Sequence, residues 1–250
     1  MSLVLARHEW RRMFARPLAW TLLAVPLALL GYFFLLTLDA FLRLMPKLAG
    51  MSDAPGVTDL VALPLARAVA SLLLLIVPLL GMRALAGEAQ SATLPLLLTS
   101  GLSDARIVLG KQLAAMAFLA VLIALALSMP LSLGVGTTLD LGRLAAAAFG
   151  LWLFGAALSA IALAASAHTD HPTVAATVAL AINLLLWMAD AGARYEGVSS
   201  AFINYLALPT HLEPFLHGLV SSVDVIYFSL LAAVALILAT RRLGARRIRG

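Results

Sequence analysis

Gly110-Lys111 is the nearest approach in this sequence to a phosphate-gripping motif, and it fails on two residues. A loop of the G-x-x-x-x-G-K-[ST] type cradles phosphates with backbone amides, adds a lysine, and places a hydroxyl on magnesium. Here Ala105 stands where the first glycine is needed, and Gln112 follows the lysine. Nucleotide chemistry by that route is excluded for this chain. Two histidine groups come next, His168/Asp170/His171 and His211/Glu213/His217. A metal site needs three or four converging ligands. Three residues on one tight turn rarely converge, and the first group suits a solvated turn in which Asp170 caps a helix opened by Pro172. His211 and His217 stand six residues apart, which places them about 120° apart around a helix. Catalytic residues: none are assigned. Metal ligands: none.

Ion coupling is the remaining chemistry. A proton- or sodium-driven transporter ordinarily carries an ionisable side chain inside a span. The polar residues within the apolar runs are Asn183, Ser71, Ser128 and Ser159, with Asp190 at the end of one run. No Asp, Glu, Lys or Arg falls near the centre of a run, so the energy for any transport comes from elsewhere.

The elements around these residues are set by composition. The chain has 250 residues, 63% hydrophobic and 12% charged, with mean hydropathy +1.03. Soluble domains average about 25% charged residues, so the expected fold is an all-α membrane protein forming a single transmembrane domain over 1–250. Each crossing needs about 20 apolar residues, and six transmembrane helices are expected at 18–38, 60–82, 112–136, 144–167, 172–190 and 224–240. The absence of cysteine rules out disulfides and thiolate metal sites.

Alternation of six spans puts both termini on one side. That side holds twelve Lys/Arg, four in the N-terminal segment, three between Arg83 and Lys111, and five in the tail; the other side holds five. Positive-inside asymmetry makes both termini cytoplasmic. The net charge of +5 is thereby absorbed by topology, and no nucleic acid partner is implied. The first apolar run follows a long basic stretch and is too long for a cleavable signal core.

Residues 1–17 place Leu3, Ala6, Trp10, Met13, Phe14 and Pro17 on one helical face, with Glu9, Arg11, Arg12 and Arg16 on the others. This patterning fits a helix lying in the cytoplasmic interface of the lipid bilayer, with Trp10, Arg11, Arg12 and Arg16 as anchors. A basic topology signal with incidental amphipathicity is the other reading. Residues 39–59, with Pro46, Gly50, Pro55 and Gly56, read as an outer loop with a short helix at most. The outer segment 193–222 contains Leu212, Phe215, Leu216 and Leu219 at helical spacing. Leu208-Pro209 separates it from the apolar Phe202–Leu206, giving an amphipathic hairpin of two short helices. Asp224 and Arg241 are expected to snorkel at the ends of the last span. The fourth span is rich in small residues, Gly150, Gly155, Ala156, Ser159, Ala160 and Ala164, which suit close helix packing within the chain or at a dimer seam.

The cytoplasmic stretch Met82–Lys111 is the longest polar break on that side. Ser91 and Thr93 are candidate N-caps for a short helix Leu94–Leu98, with Pro95 in its first turn, and Ser103-Asp104 can cap the next helix. A short apolar helix on the cytoplasmic side needs cover, from a partner groove or from the protein's own spans.

The wording of this stretch resembles the ABC-2 type permease family, in its six-span branch akin to gliding-motility and nitrous-oxide-reductase maturation permeases. Glu88 matches an opening acid of the loop, Thr93-Leu94 a T-L pair, Leu96-Leu97-Leu98-Thr99-Ser100 an L-L-L-T-S run, Ser103 a serine, and Ile107–Lys111 an I-V-L-G-K run. Ala89, Ala92, Pro95 and Gly101 depart from an acid, a glycine, a glutamate and a proline. Weaker similarity lies around Arg7–Pro17, Leu206–Gly218 and Val223–Phe228.

The resemblance implies a non-catalytic permease subunit of an ATP-driven transporter in the bacterial inner membrane, exporting or extruding a substrate. A separate cytoplasmic ABC ATPase would hold ATP and Mg, and this chain would bind no cofactor itself. Glu88, Thr93, Leu94, Leu96, Leu97, Leu98, Thr99 and Ser100, within 87–104, would form the ATPase-coupling region. Leu212, Glu213, Phe215 and Leu216 would belong to the outer gate. A second permease copy and an extracytoplasmic accessory protein are the further partners implied. The alternative is a membrane scaffold that passes ATPase strokes to an outer partner without moving a substrate through a pore.

Overall fold

A computed structural model describes residues 2–15, 17–48, 55–93, 99, 101–189 and 201–249. Arg16, Leu94, Leu96, Leu97, Leu98 and Ser100 therefore lie outside the described residues, as do Asp190 and 193–200 of the outer segment. The described elements are all helical. In chain order they are α1 (Ser2–Phe14), α2 (Pro17–Leu48), α3 (Leu63–Gly81) entered through a π-turn at Thr58–Ala62, α4 (Ala86–Gln90), and α5 (Asp104–Leu131), which tightens into a 3-10 turn at Ser132–Val135. They continue with α6 (Leu141–His168), α7 (Pro172–Met188), α8 (Ala201–Leu206), α9 (Leu208–Leu216) and α10 (Ser222–Arg249).

Five stretches are long and apolar enough to cross a membrane: α2, α3 taken with the π-turn before it and α4 after it, α5, α6 and α10. The span expected at 172–190 corresponds to α7, which is apolar but only 17 residues long. At 1.5 Å per residue that is about 25 Å, short of a roughly 30 Å hydrocarbon core.

α6 is the central helix. Of its most apolar window 78% is buried, against 22% for α2 and 28% for α10, which form the rim. Its small residues make this possible. A methyl group at Gly150 would fall 2.6 Å from Cγ of Phe215, and one at Gly155 would fall 3.0 Å from Cδ1 of Leu119. Likewise, Gly81 of α3 lies where a methyl would meet Cβ of Ala162 at 2.6 Å. The small-residue face therefore packs within the chain.

Several sequence expectations give way to longer-range contacts. α2 runs on to Leu48 where a loop was expected from Asp39. Arg43 Nε donates to Asp39 Oδ2 at 2.9 Å one turn back, and Phe41 is buried, so charges that read as a span end instead extend the helix. The third span starts at Asp104 rather than 112, because α5 continues below the apolar run. Asp170 does not cap α7; His171 holds that position without a side-chain bond, and Asp170 accepts from Arg246 Nη1 of α10 at 2.6 Å. Asp224 does not snorkel. It is buried, with its Oδ1 2.6 Å from Nδ1 of His211.

Candidate functional site

The cytoplasm-assigned stretch after α3 is held from beneath by one serine. Ser166 of α6 is fully buried; its Oγ accepts from the Leu85 and Ala86 backbone N–H groups at 3.0 and 2.9 Å, and donates to the Met82 carbonyl at 3.1 Å. The N-terminal amides of α4 lack a local cap, so a side chain from another helix supplies it. Leu85 also drops into an apolar cluster with Ile107, Val108, Leu163, Ala167, Ala239 and Leu243. α4 is thereby fixed to α5, α6 and α10 together.

That placement turns Glu88 inward. Its Oε1 accepts from Lys111 Nζ at 2.7 Å and from Arg12 Nη1 at 3.1 Å, while Lys111 also donates to Glu9 Oε1 at 3.1 Å. The Lys111 and Glu88 side chains are 4% and 7% exposed. Two acids and two bases from α1, α4 and α5 thus form one charge-neutral cluster, buried at Glu88 and Lys111 and open to solvent at Arg12. Such a cluster is viable because each ion faces an opposite one. Beside it, Gln112 Nε2 donates to the Ala156 carbonyl and to Ser159 Oγ at 3.0 and 2.9 Å.

α4 ends in a left-handed turn. Thr93 N–H donates to the Glu88 carbonyl at 2.9 Å and Ala92 N–H to the Ala89 carbonyl at 3.1 Å, the bond pair of a Schellman cap. Ala92 carries the positive φ of 53° that this cap demands, at the position where the resemblance has glycine. Ser91 Oγ donates to the Gly87 carbonyl at 2.9 Å, and Thr93 Oγ1 to the Glu88 carbonyl at 3.3 Å. Both hydroxyls therefore serve the C-terminal carbonyls of α4; the segment they were expected to N-cap lies outside the described residues. Thr99 is exposed.

The N-terminal helix is docked on the bundle. Trp10 stacks at a tilt on Phe14 with centroids 4.7 Å apart, Phe14 meets Phe118 of α5 at 6.0 Å, and Trp20 Nε1 donates to the Phe14 carbonyl at 2.9 Å. Of the expected anchors, Arg11 is exposed, and Arg12 is part-exposed and donates to Glu88.

At the opposite end, Leu212, Phe215 and Leu216 are buried in the same core as α3 and α6. Glu213 accepts two bonds from Arg67 of α3, Nε to Oε1 at 3.0 Å and Nη2 to Oε2 at 2.8 Å. Arg143 of α6 donates to Asp59 at 2.6 Å and lies 3.1 Å from Nδ1 of His217. His211 is stacked 3.9 Å from Tyr227, and its Nε2 lies 2.8 Å from the Tyr205 carbonyl. The two histidine groups do not converge on a metal: among the described residues no group of three or more His, Asp or Glu is arranged to hold one.

Glu9, Lys111, Gln112 and Ser166 were not singled out from the sequence as site residues. Lys111 alone had a signal, as the last letter of the I-V-L-G-K match. Compared with known families, residues 3–244 match the model of the family described as ABC-2 family transporter protein. No curated protein sequence matches the chain.

Proposed function

The chain belongs to the ABC-2 transporter family, and we propose that, as an ABC transporter permease, it couples ATP hydrolysis by a separate cytoplasmic ATPase to export or extrusion across the bacterial inner membrane. In this reading α7 is the sixth crossing, both termini are cytoplasmic, and two copies of the chain work together. ATP and Mg belong to the ATPase, which docks on 87–104.

The observation that carries this is the ion cluster of Glu9, Arg12, Glu88 and Lys111, with the Glu88–Lys111 pair buried at its centre. A push delivered after α4 is useful only if the loop cannot yield independently. Glu88 links α4 to α1 and α5 through charge, while Ser166 links it to α6 through hydrogen bonds. Glu88 therefore acts as the root of the coupling region, with the contact to the ATPase falling on the residues after it.

The test is co-expression with candidate ATPases, followed by pull-down and coupled ATPase measurement. Loss of either member of the pair, in Glu88→Gln or in Lys111→Met, is expected to reduce ATPase stimulation while leaving the chain in the membrane. Full stimulation in both single variants would remove Glu88 from the coupling role.

The scaffold reading, with strokes passed to an outer partner, is supported by the closely packed centre around α6. ATP-dependent substrate movement in reconstituted vesicles separates the two readings.

A further inference from the structure

Five arginines at the basic end of α10 satisfy membrane topology by number alone, yet two of them have specific partners. Arg246 Nη1 donates to Asp170 Oδ1 at 2.6 Å, on the turn between α6 and α7. Arg247 reaches the start of α5 instead. Its Nη2 donates to the Leu102 carbonyl at 2.7 Å, and its Nη1 stands 3.1 Å from Asp104 Oδ1 as an ion pair. Gly244, one turn back on α10, gives Asp104 room, since a methyl there would stand 3.1 Å from its Oδ2. The Arg106 and Ile107 amides both donate to the Ser103 carbonyl, at 2.9 and 3.2 Å. Ser103 itself makes no side-chain cap bond. The two groups that Arg247 holds therefore flank the residue that opens α5.

The other flank of the same stretch meets the same helix. Ala239 and Leu243 of α10 are buried in the cluster that takes Leu85, and Ala89 and Leu102 pack against it. Leu85 stands just before α4 and Leu102 just before α5, so α10 touches both. Apolar contact brings the flanks together without fixing their direction. A guanidinium fork shared between a carbonyl and a carboxylate does fix it. Arg247 and Asp104 both keep contact with solvent, so the pairing adds geometry more than stability.

We propose that Arg247 is a positioning residue for the coupling region: it clamps Leu102 and Asp104, the last described part of that region, onto α10. Glu88 roots the entry side in α1 and α5, and Arg247 roots the exit side in α10. A stroke on the region then reaches α10 directly, as well as α5. The coupling role rests on the reading of 87–104 as the ATPase-docking region. The clamp itself does not.

The experiment has two arms, both on the full chain in nanodiscs. The first reads hydrogen exchange at the Arg106 and Ile107 amides without any ATPase. Arg247→Met should speed it about fivefold, the scale of one net hydrogen bond. Arg246→Met removes the same charge one residue away and should leave these amides at the wild-type rate. Arg247→Lys should fall between, because an ammonium lacks the fork that serves both partners. Wild-type exchange in Arg247→Met, or equal acceleration in Arg246→Met, overturns the clamp. The second arm titrates the ATPase found by pull-down with each variant. Arg247→Met should reach half-maximal stimulation at the wild-type concentration, while the maximum falls about threefold. Full stimulation alongside faster exchange overturns the coupling role. If the wild type itself binds no ATPase, the docking reading fails and the coupling role with it, while the exchange ratio still decides the clamp.

Discussion

Glu88 and Lys111 stand 23 residues apart in the chain and meet at 2.7 Å. They are the opening acid and closing lysine of one cytoplasm-assigned stretch, so α4 near its start and α5 at its end are clasped to each other. Arg12 and Glu9 of α1 close the same cluster from the side. The pair therefore ties α4 to α5, and neither charge is itself exposed for docking.

Removal of one partner from this cluster should be costly, and removal of both much less so. Lys111→Met leaves Glu88 and Glu9 buried with only Arg12 between them, a loss of about 3–5 kcal/mol. In the double variant Glu88→Leu/Lys111→Met, Glu9 and Arg12 remain one turn apart on α1 and can pair with each other. Unfolding of the purified wild type, two single variants and double variant forms a mutant cycle. The double variant should be more stable than Lys111→Met alone; additive losses would mean the charges act separately.

Ala92 occupies the left-handed position of the α4 cap with φ of 53°. A side chain there costs about 1–2 kcal/mol that glycine does not incur, and the site is exposed, so nothing is lost from packing. Ala92→Gly should slow hydrogen exchange at the α4 amides by up to about tenfold, net of the added unfolded-state freedom. Ala92→Val should accelerate it. Unchanged exchange in both would show that the cap does not limit α4 opening.

Gly150 is required by Phe215, which lies against the face of α6 where a side chain would begin. Gly150→Ala must displace a fully buried ring and should lower stability by about 1–3 kcal/mol, the usual cost of overpacking. Phe215→Leu in the same chain should recover part of that loss. If Gly150→Ala melts like wild type, α9 is not seated on α6 as described.

What could be read from the sequence followed from local pattern. Apolar runs long enough to cross gave the helices, and the Leu212/Phe215/Leu216 spacing gave the buried face of α9. Charges were read less well, because an isolated charge at the end of an apolar run looks solvent-bound whether or not it finds a partner. Asp39 and Arg43 looked like a span end and are a helix pair. Asp170 and Asp224 looked like a cap and a snorkel, and each meets a residue from another helix. Ser166 gave no signal at all: it resembles Ser128, which bonds only the Leu125 carbonyl of its own helix, until the fold puts Leu85 and Ala86 above it. Leu94–Leu98, the segment most legible as a family motif, is outside the described residues, so the root of the site rather than its tip is what the structure adds.

The Arg67–Glu213 pair supplies the last prediction, because it joins α3 to the proposed outer gate on α9. Both side chains are nearly half exposed, so the pair contributes little to stability, within about 1 kcal/mol. Its value would lie in holding α9 closed over the outer end while Leu212, Phe215 and Leu216 fill the core beneath. The chain contains no cysteine, so Arg67→Cys/Glu213→Cys introduces the only thiols. A flexible bis-maleimide can span the distance the two long side chains now bridge. Cross-linked protein should keep its unfolding midpoint and its ATPase binding, yet lose ATP-dependent substrate movement in vesicles, while the same variant before cross-linking retains it. Undiminished movement after complete cross-linking would mean that α9 need not separate from α3, and the outer-gate role of Glu213 would be withdrawn.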